Sequence, residues 1–178
     1  MKLERVSLEG AFLITPDLIR DERGFFFESY QEMRYQELGI ETPFVQENHS
    51  FSKRGTIRGM HYQSTPGQAK LIRVAVGKIW DVIVDIRRDS KTFGQWEGVL
   101  LDDLLHQQLY IPVGFAHGFC VLSESAHVLY KVSTPYDPKT EKGFRYDDPK
   151  VGIKWPMKGA LISKRDQQSP YFHEAFHS

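Results

Sequence analysis

The stretch Arg58-Gly59-Met60-His61-Tyr62-Gln63, followed across a Pro66-Gly67 turn by Gln68-Ala69-Lys70-Leu71-Ile72-Arg73, decides how the chain is read. It reads as two successive short strands that carry a histidine and a lysine, with a glycine where a strand prefers a side chain. Strict alternation puts Ile57, Gly59 and His61 on one face and Arg58, Met60 and Tyr62 on the other. Arg58 and His61 share a site only if the ladder is interrupted, which predicts a bulge or sharp bend at Gly59. Parity also groups Lys70 with Ile72, Val74 and Val76, so this lysine sits either at a strand's wet end or is buried for use. An imidazole titrating near neutrality takes a proton, and a nearby ammonium holds the negative charge left behind. That pairing is the chemistry of proton abstraction beside a carbonyl.

Before this pair, apolar runs at 5–8 and 11–14 read as strands. The segment 21–30 reads as a polar turn at Gly24 feeding an aromatic-rich strand. Arg23 at its tip is either solvated or held against a diphosphate, with Glu28 then accepting hydrogen bonds from a base or sugar. Residues 31–38, with Met33, Tyr35 and Leu38 and a stop at Gly39, form the one helix of consequence. In 44–52, Gln46, Asn48 and Ser50 share a face that is either a wet sheet surface or a row of polar groups lining a barrel.

After the pair, 78–88 is a strand with Trp80, Val82, Val84 and Ile86 on one face. Asp81 and Asp85 interrupt the other face, either to orient a histidine or lysine or as structural ion pairs. A turn at 90–94 precedes a strand at 95–101, and 109–119 reads as strand, tight corner and strand with His117 in the corner. His117 there is a hydrogen-bonded structural residue or a site residue. On 126–134, Tyr130 shares a face with Ala126, Val128 and Val132, and its phenol needs a partner or a proton to donate. The remainder is turn-rich, with strands expected around Phe144 and Ile153 and a sheet edge at Trp155-Pro156. Asp166 reads in isolation as a turn residue, and 171–178 as a loosely held tail. Many short strands at nearly regular spacing predict an all-β fold, a double-sheet antiparallel jelly roll or related barrel with one short helix, in a single domain over 1–178.

Charge is balanced at 23 basic against 23 acidic residues, so no bulk field draws in nucleic acid or an anionic membrane. The one cysteine, Cys120, excludes an internal disulfide framework and suits a reducing compartment. With no apolar leader and no spanning segment, the expectation is a cytoplasmic protein acting on a small ligand.

Eight motifs in register resemble the dTDP-4-dehydrorhamnose 3,5-epimerase family of nucleotide-sugar enzymes, in the cupin class of jelly rolls. They are Asp21-x-Arg23-Gly24-x-Phe26, Gln46-x-Asn48-x-Ser50, Arg58-Gly59-x-His61-Tyr62-Gln63, Lys70-Leu71, Thr92-Phe93-Gly94-x-Trp96, the run from Ile111 to Phe119, Tyr130-Lys131 and Asp148-Pro149. The resemblance implies epimerisation at C3 and C5 of a 4-keto-6-deoxyglucose nucleotide. His61 would be the general base, Asp166 its carboxylate partner, Lys70 the stabiliser of the enolate oxygen, and Tyr130 the donor on the opposite face. Arg23, Glu28, Gln46, Asn48, Arg58, His117 and Glu141 would hold nucleotide and sugar, with Arg165 beside them and Tyr136 stacking on thymine. The family works without metal or coenzyme, as homodimers that exchange strand contacts. Arg165 stands where the family has lysine, and 101–106 and 144–148 also depart from its pattern, which leaves open whether one carbon or two is inverted.

Two rival readings have sequence consequences. A metal cupin with His61 and His117 as ligands lacks the His-x-His pair with a following glutamate. A non-catalytic nucleotide-sugar binding module keeps the arginines but has no use for His61, Lys70 and Tyr130 together.

Overall fold

Apolar runs broken every few residues by Gly, Pro or Asp leave little room for helices, and the computed structural model, which describes residues 1–176, is built mostly of short strands. In chain order these are β1 (Lys2–Arg5), β2 (Phe12–Thr15), β3 (Ile19–Asp21), β4 (Gly24–Phe26), β5 (Gln46–Lys53), β6 (Thr56–Gln63), β7 (Lys70–Val76) and β8 (Lys78–Asp85). There follow β9 (Trp96–Asp102), β10 (Gln108–Ile111), β11 (Phe115–Val121), β12 (Ser125–Val132), β13 (Glu141–Gly143) and β14 (Leu161–Ile162). The first sheet runs β1-β2-β10-β7-β12-β5 and the second β13-β6-β11-β8-β9, every pair in these two orders antiparallel. This is the expected double-sheet jelly roll. The pair β3–β4 forms a separate hairpin, and β14 lies parallel to β6.

Alternation sorts the side chains as two packed sheets require. Ile72, Val74, Ile79, Ile83, Leu109, Phe119, Val121, Ala126 and Val128 fill the space between the sheets. The second sheet is also covered on its far face, where Met60, Tyr62, Val82, Val84 and Ala116 pack against Phe144, Val151, Ile153 and Phe172 from the C-terminal segment. With both faces occupied, all seven residues of β11 are buried.

The expected interruption is at Gly59. His117 pairs with His61 and Phe119 with Arg58, so β6 spends one residue more than β11 over the same step. Gly59 has φ of 124°, and a Cβ there would lie 2.6 Å from Gly118 Cα and 2.8 Å from the His117 carbonyl oxygen. Only glycine lets the two backbones approach this closely.

The helix predicted over 31–38 is α1 (Glu32–Glu37), capped by the Gln31 side chain, which accepts from the Arg34 amide. Its Tyr35 is buried with Ile14, Ile40, Leu71 and Tyr110 against the first sheet. It is joined by two single turns, α2 (Lys164–Gln167) and α3 (Phe172–Ala175). The tail expected over 171–178 is docked as far as the description extends: Phe172 is buried and its amide donates to Asp148 Oδ2 at 2.7 Å. Residues 177 and 178 of that expectation lie outside the described residues. Other boundaries move too. The first strand ends at Arg5, where one was expected to begin, because Leu8 and Ala11 turn inward to cap the core. No strand forms at Ile153 or Trp155, which serve as packing under the C-terminal segment.

Candidate active site

Between the two sheets, a cavity of about 290 Å³ opens beside the apolar filling. Its first-sheet wall carries Gln46, Asn48 and Ser50 of β5, Lys70 of β7 and Tyr130 of β12. The facing wall carries Arg58 and His61 of β6 with His117 and Phe119 of β11. Gln68, Tyr136, Glu141 and Arg165 complete the lining. The polar face of 44–52 looks inward, and the bulge at Gly59 is what lets Arg58 and His61 share the site.

Asp166 backs His61 from outside the cavity. The pairing of β14 with Thr56 and Ile57 delivers the chain to α2, where the Ser163 hydroxyl accepts from the Asp166 amide at 3.1 Å. One carboxylate oxygen of Asp166 lies 2.7 Å from His61 Nε2, and the other accepts from the Gly59 amide at 3.3 Å. Burial alone would raise this carboxyl. The hydrogen bond and charge of His61, with the Gly59 amide and Arg165, hold it below the ordinary carboxylate value. Asp166 is thus a buried, helix-borne ligand of the imidazole rather than a turn residue.

Lys70 is only 8% exposed, at the first position of β7, and its ammonium has no hydrogen-bond or ion-pair partner among the described residues. Burial pushes its ammonium down from 10.5 to about 8, with Asp81 and Glu141 opposing. His117 is the third residue of β11, beyond the corner at Val113-Gly114 rather than in it, and its Nε2 lies 2.9 and 3.0 Å from the two oxygens of the fully buried Asp81. Burial pushes this imidazole down and Asp81 opposes it. Asp81 therefore orients a histidine, whereas Asp85 is structural, accepting from Arg87, Ser90 and Thr92. Tyr130 is raised by burial, with Arg58 opposing, so the phenol keeps its proton and can donate it.

Around the mouth, Gln46 donates to Asn48 at 2.7 Å and accepts from the Tyr136 amide at 3.2 Å. Arg58 is held by Ser52 Oγ and the Phe51 carbonyl. Glu141 accepts from the Tyr136 hydroxyl at 3.0 Å and from Arg165 at 2.6 Å.

Two expected site residues are brought neither to the cavity wall nor, like Asp166, behind it. Arg23 sits on the β3–β4 hairpin with its side chain 85% exposed and paired to Asp21, because the two-strand ribbon projects outside both sheets. Glu28 pairs with Arg34 of α1 at 3.2 Å. In turn, the cavity contains Gln68 and Phe119, which the sequence reading did not single out; Phe119 lies two positions from His117 on β11, where parity alone would have found it, whereas Gln68 precedes β7. Among the described residues no group of three or more His, Cys, Asp or Glu side chains is placed to hold a metal, and His61 and His117 are each bound to a carboxylate.

A profile described as dTDP-4-dehydrorhamnose 3,5-epimerase matches residues 5–174. The chain belongs to the dTDP-4-dehydrorhamnose 3,5-epimerase family. A relative of that name from Pseudomonas aeruginosa is 45% identical over 177 residues, covering 98% of both chains. A dTDP-4-dehydrorhamnose 3-epimerase from Streptomyces niveus is 41% identical, covering 98% of this chain and 86% of its own. The epimerase of Legionella pneumophila, solved in complex with dTDP-4-keto-L-rhamnose, superposes with a TM-score of 0.93 at 44% identity, covering 96% of this chain and 92% of that one. Membership makes this 3,5-epimerase-family chain an isomerase, and no helix of the described residues is long and apolar enough to cross a membrane.

Proposed function

We propose that the protein inverts C3 and C5 of dTDP-4-dehydro-6-deoxy-D-glucose to give dTDP-4-dehydro-L-rhamnose, with no cofactor. His61 removes the proton beside the C4 ketone, Asp166 orients the imidazole, and Lys70 receives the charge that develops on the ketone oxygen. Tyr130 returns a proton from the other side. The observation that carries this reading is that His61 and Tyr130 belong to different sheets yet line one cavity, with the ammonium of Lys70, unpaired among the described residues, on the same wall as Tyr130. A base alone only exchanges protons; inversion needs a donor facing it. The α-proton is too weakly acidic for imidazole unless the enolate is stabilised, which gives Lys70 the larger share of the barrier.

The cavity is at the lower limit of ligand sites, which run from about 300 Å³ upward. It suits the sugar ring, with the nucleotide leaving past Arg58, Glu141 and Tyr136, whose ring stacks on the base. The protein then works as a cytoplasmic homodimer in which the β3–β4 hairpin takes Arg23, and the chain after it Glu28, to the partner's site. The exposed Ile19, Phe25 and Phe26 on that hairpin support such a contact. Balanced charge supports neither nucleic acid nor membrane as partner.

Incubation with the 4-keto-6-deoxyglucose nucleotide in heavy water, with deuterium mapped at C3 and C5, tests the reaction. Label and inversion at both carbons are expected, and His61→Asn abolishes incorporation. Normal incorporation by that variant removes His61 as the base. The Streptomyces niveus relative favours one second reading, inversion at C3 alone; label confined to C3 establishes it.

A further inference from the structure

His61 Nε2 has two close neighbours that a neutral ring cannot satisfy together. Asp166 Oδ1 lies 2.7 Å away and needs a proton on that nitrogen, while Arg165 brings a guanidinium N–H to 2.9 Å and needs a lone pair there. His61 Nδ1 has no partner among the described residues. The two arrangements differ in what the ring can do. With Nε2–H donated to Asp166, Nδ1 is bare and takes a proton. With Arg165 bonded to Nε2, the ring proton sits on Nδ1 and the imidazole is blocked as a base there.

We propose that Arg165 is a positioning residue that competes with Asp166 for His61 Nε2 in the empty site, so that a share of the rings is held in the blocked tautomer, and that a diphosphate draws the arginine away and arms the base. The inference rests on His61 being the base. The guanidinium spans three groups at once: one terminal nitrogen on Glu141 at 2.6 Å, the other on His61, and Nε on Asp166 at 3.5 Å. Lysine has no such fork. The side chain is 58% exposed at the cavity rim, so it is free to exchange a carboxylate for a doubly charged oxyanion, the partner with which arginine makes its strongest bidentate bonds. Once it leaves, the ring proton passes through water from Nδ1 to Nε2, where Asp166 accepts it; nothing else is gained or lost. Proton abstraction is thereby coupled to the nucleotide end of the substrate, although the arginine touches neither reacting carbon.

Imidazole ¹⁵N spectra of protein labelled at histidine, with His61→Asn to assign the signals, read the tautomer directly. Inorganic pyrophosphate is the probe, so the result is independent of turnover. In the free wild-type protein both ring nitrogens are expected between the bare and protonated ends of the range, and saturating pyrophosphate moves Nε2 to the protonated end and Nδ1 to the bare end. Arg165→Gln and Arg165→Lys are expected to show the Nε2–H form with or without pyrophosphate, the lysine variant keeping a KM for the nucleotide sugar closer to wild type. A merely structural arginine leaves the nitrogen pattern unchanged on substitution. The proposal is overturned if free wild type already shows Nε2–H or is doubly protonated, if pyrophosphate leaves the pattern unaltered, or if the glutamine variant still responds. Loss of deuterium incorporation in His61→Asn alongside any of these leaves the base in place and removes only the arginine's role.

Discussion

Replacing Lys70 with methionine separates what this residue costs the fold from what it gives the reaction. Methionine keeps an unbranched chain of similar length and discards the charge. Lowering an ammonium from 10.5 to about 8 corresponds to roughly 3 kcal/mol held against the folded state while the group is charged. The sign follows from proton binding. Between about 8 and 10.5 the unfolded chain binds the proton that the folded one has released, so wild-type stability rises with pH across that window. Below about 8 the penalty is fully present, and above 10.5 it is gone. Lys70→Met is thus expected to be about 3 kcal/mol more stable than wild type at pH 7, roughly 6–12 °C in Tm for a chain of this size. The advantage should shrink toward zero as the pH approaches 10.5. Turnover moves the other way: loss of an oxyanion-stabilising donor costs about 10²–10³ in kcat. Urea unfolding at pH 7 and pH 10, with kcat measured at pH 7 on the same samples, checks both. A variant no more stable than wild type at pH 7, or a stability gap that ignores pH, refutes the account of Lys70 as a buried, partnerless cation.

Asp166→Asn leaves the shape of the backing group but removes its charge, and deuterium incorporation should fall by about 10²–10⁴. Tyr130→Phe should keep exchange at the carbon facing His61 while losing inversion at C5, visible as labelled substrate without epimerised product. At Gly59 an alanine methyl collides with the Gly118 and His117 backbone, so Gly59→Ala should cost about 3 kcal/mol or more by urea unfolding, a core-overpacking effect added to a left-handed φ. Phe172→Ala removes a buried ring that packs on Phe144 and Phe93, and should lower stability by about 3 kcal/mol with little change in KM, which would be at odds with a loosely held tail.

Period-two alternation made most of the strand set readable, because a sheet buried on one face forces it. It also grouped residues by face, Gln46, Asn48 and Ser50, then Lys70 with Ile72 and Val74, then Tyr130 with Val128 and Val132, but left open which way the first group and Lys70 pointed, and Val76, grouped with Lys70, is exposed. The bulge at Gly59 was legible for the same reason, since strict parity would have put Arg58 and His61 on opposite faces. Where parity had nothing to act on, the reading failed. Apart from the two-residue β14, the chain from 144 to 176 is irregular backbone and single turns, much of it packed over the outer face of the second sheet, and its apolar residues carry no period.

The site shows the same boundary between local and long-range information. Parity can place a side chain on a face but cannot say which group stands behind it, so Asp81 was left between two roles and Asp166 looked like a turn residue. What settles both is register across strands: β11 against β8 puts His117 over Asp81's neighbours, and β14 beside β6 drops α2 behind His61. The resulting arrangement pairs each cavity imidazole with its own buried carboxylate, on opposite sides of one β6–β11 step. Only one of the two, His61, also meets an exposed cation at the same nitrogen. His117 is nine-tenths enclosed, and its Nε2–H is held by both oxygens of Asp81, which fixes the ring and leaves Nδ1 as an acceptor. His61 is more open and bonded to a single oxygen, and that asymmetry supports the proposed proton-transfer role of His61 and binding role of His117.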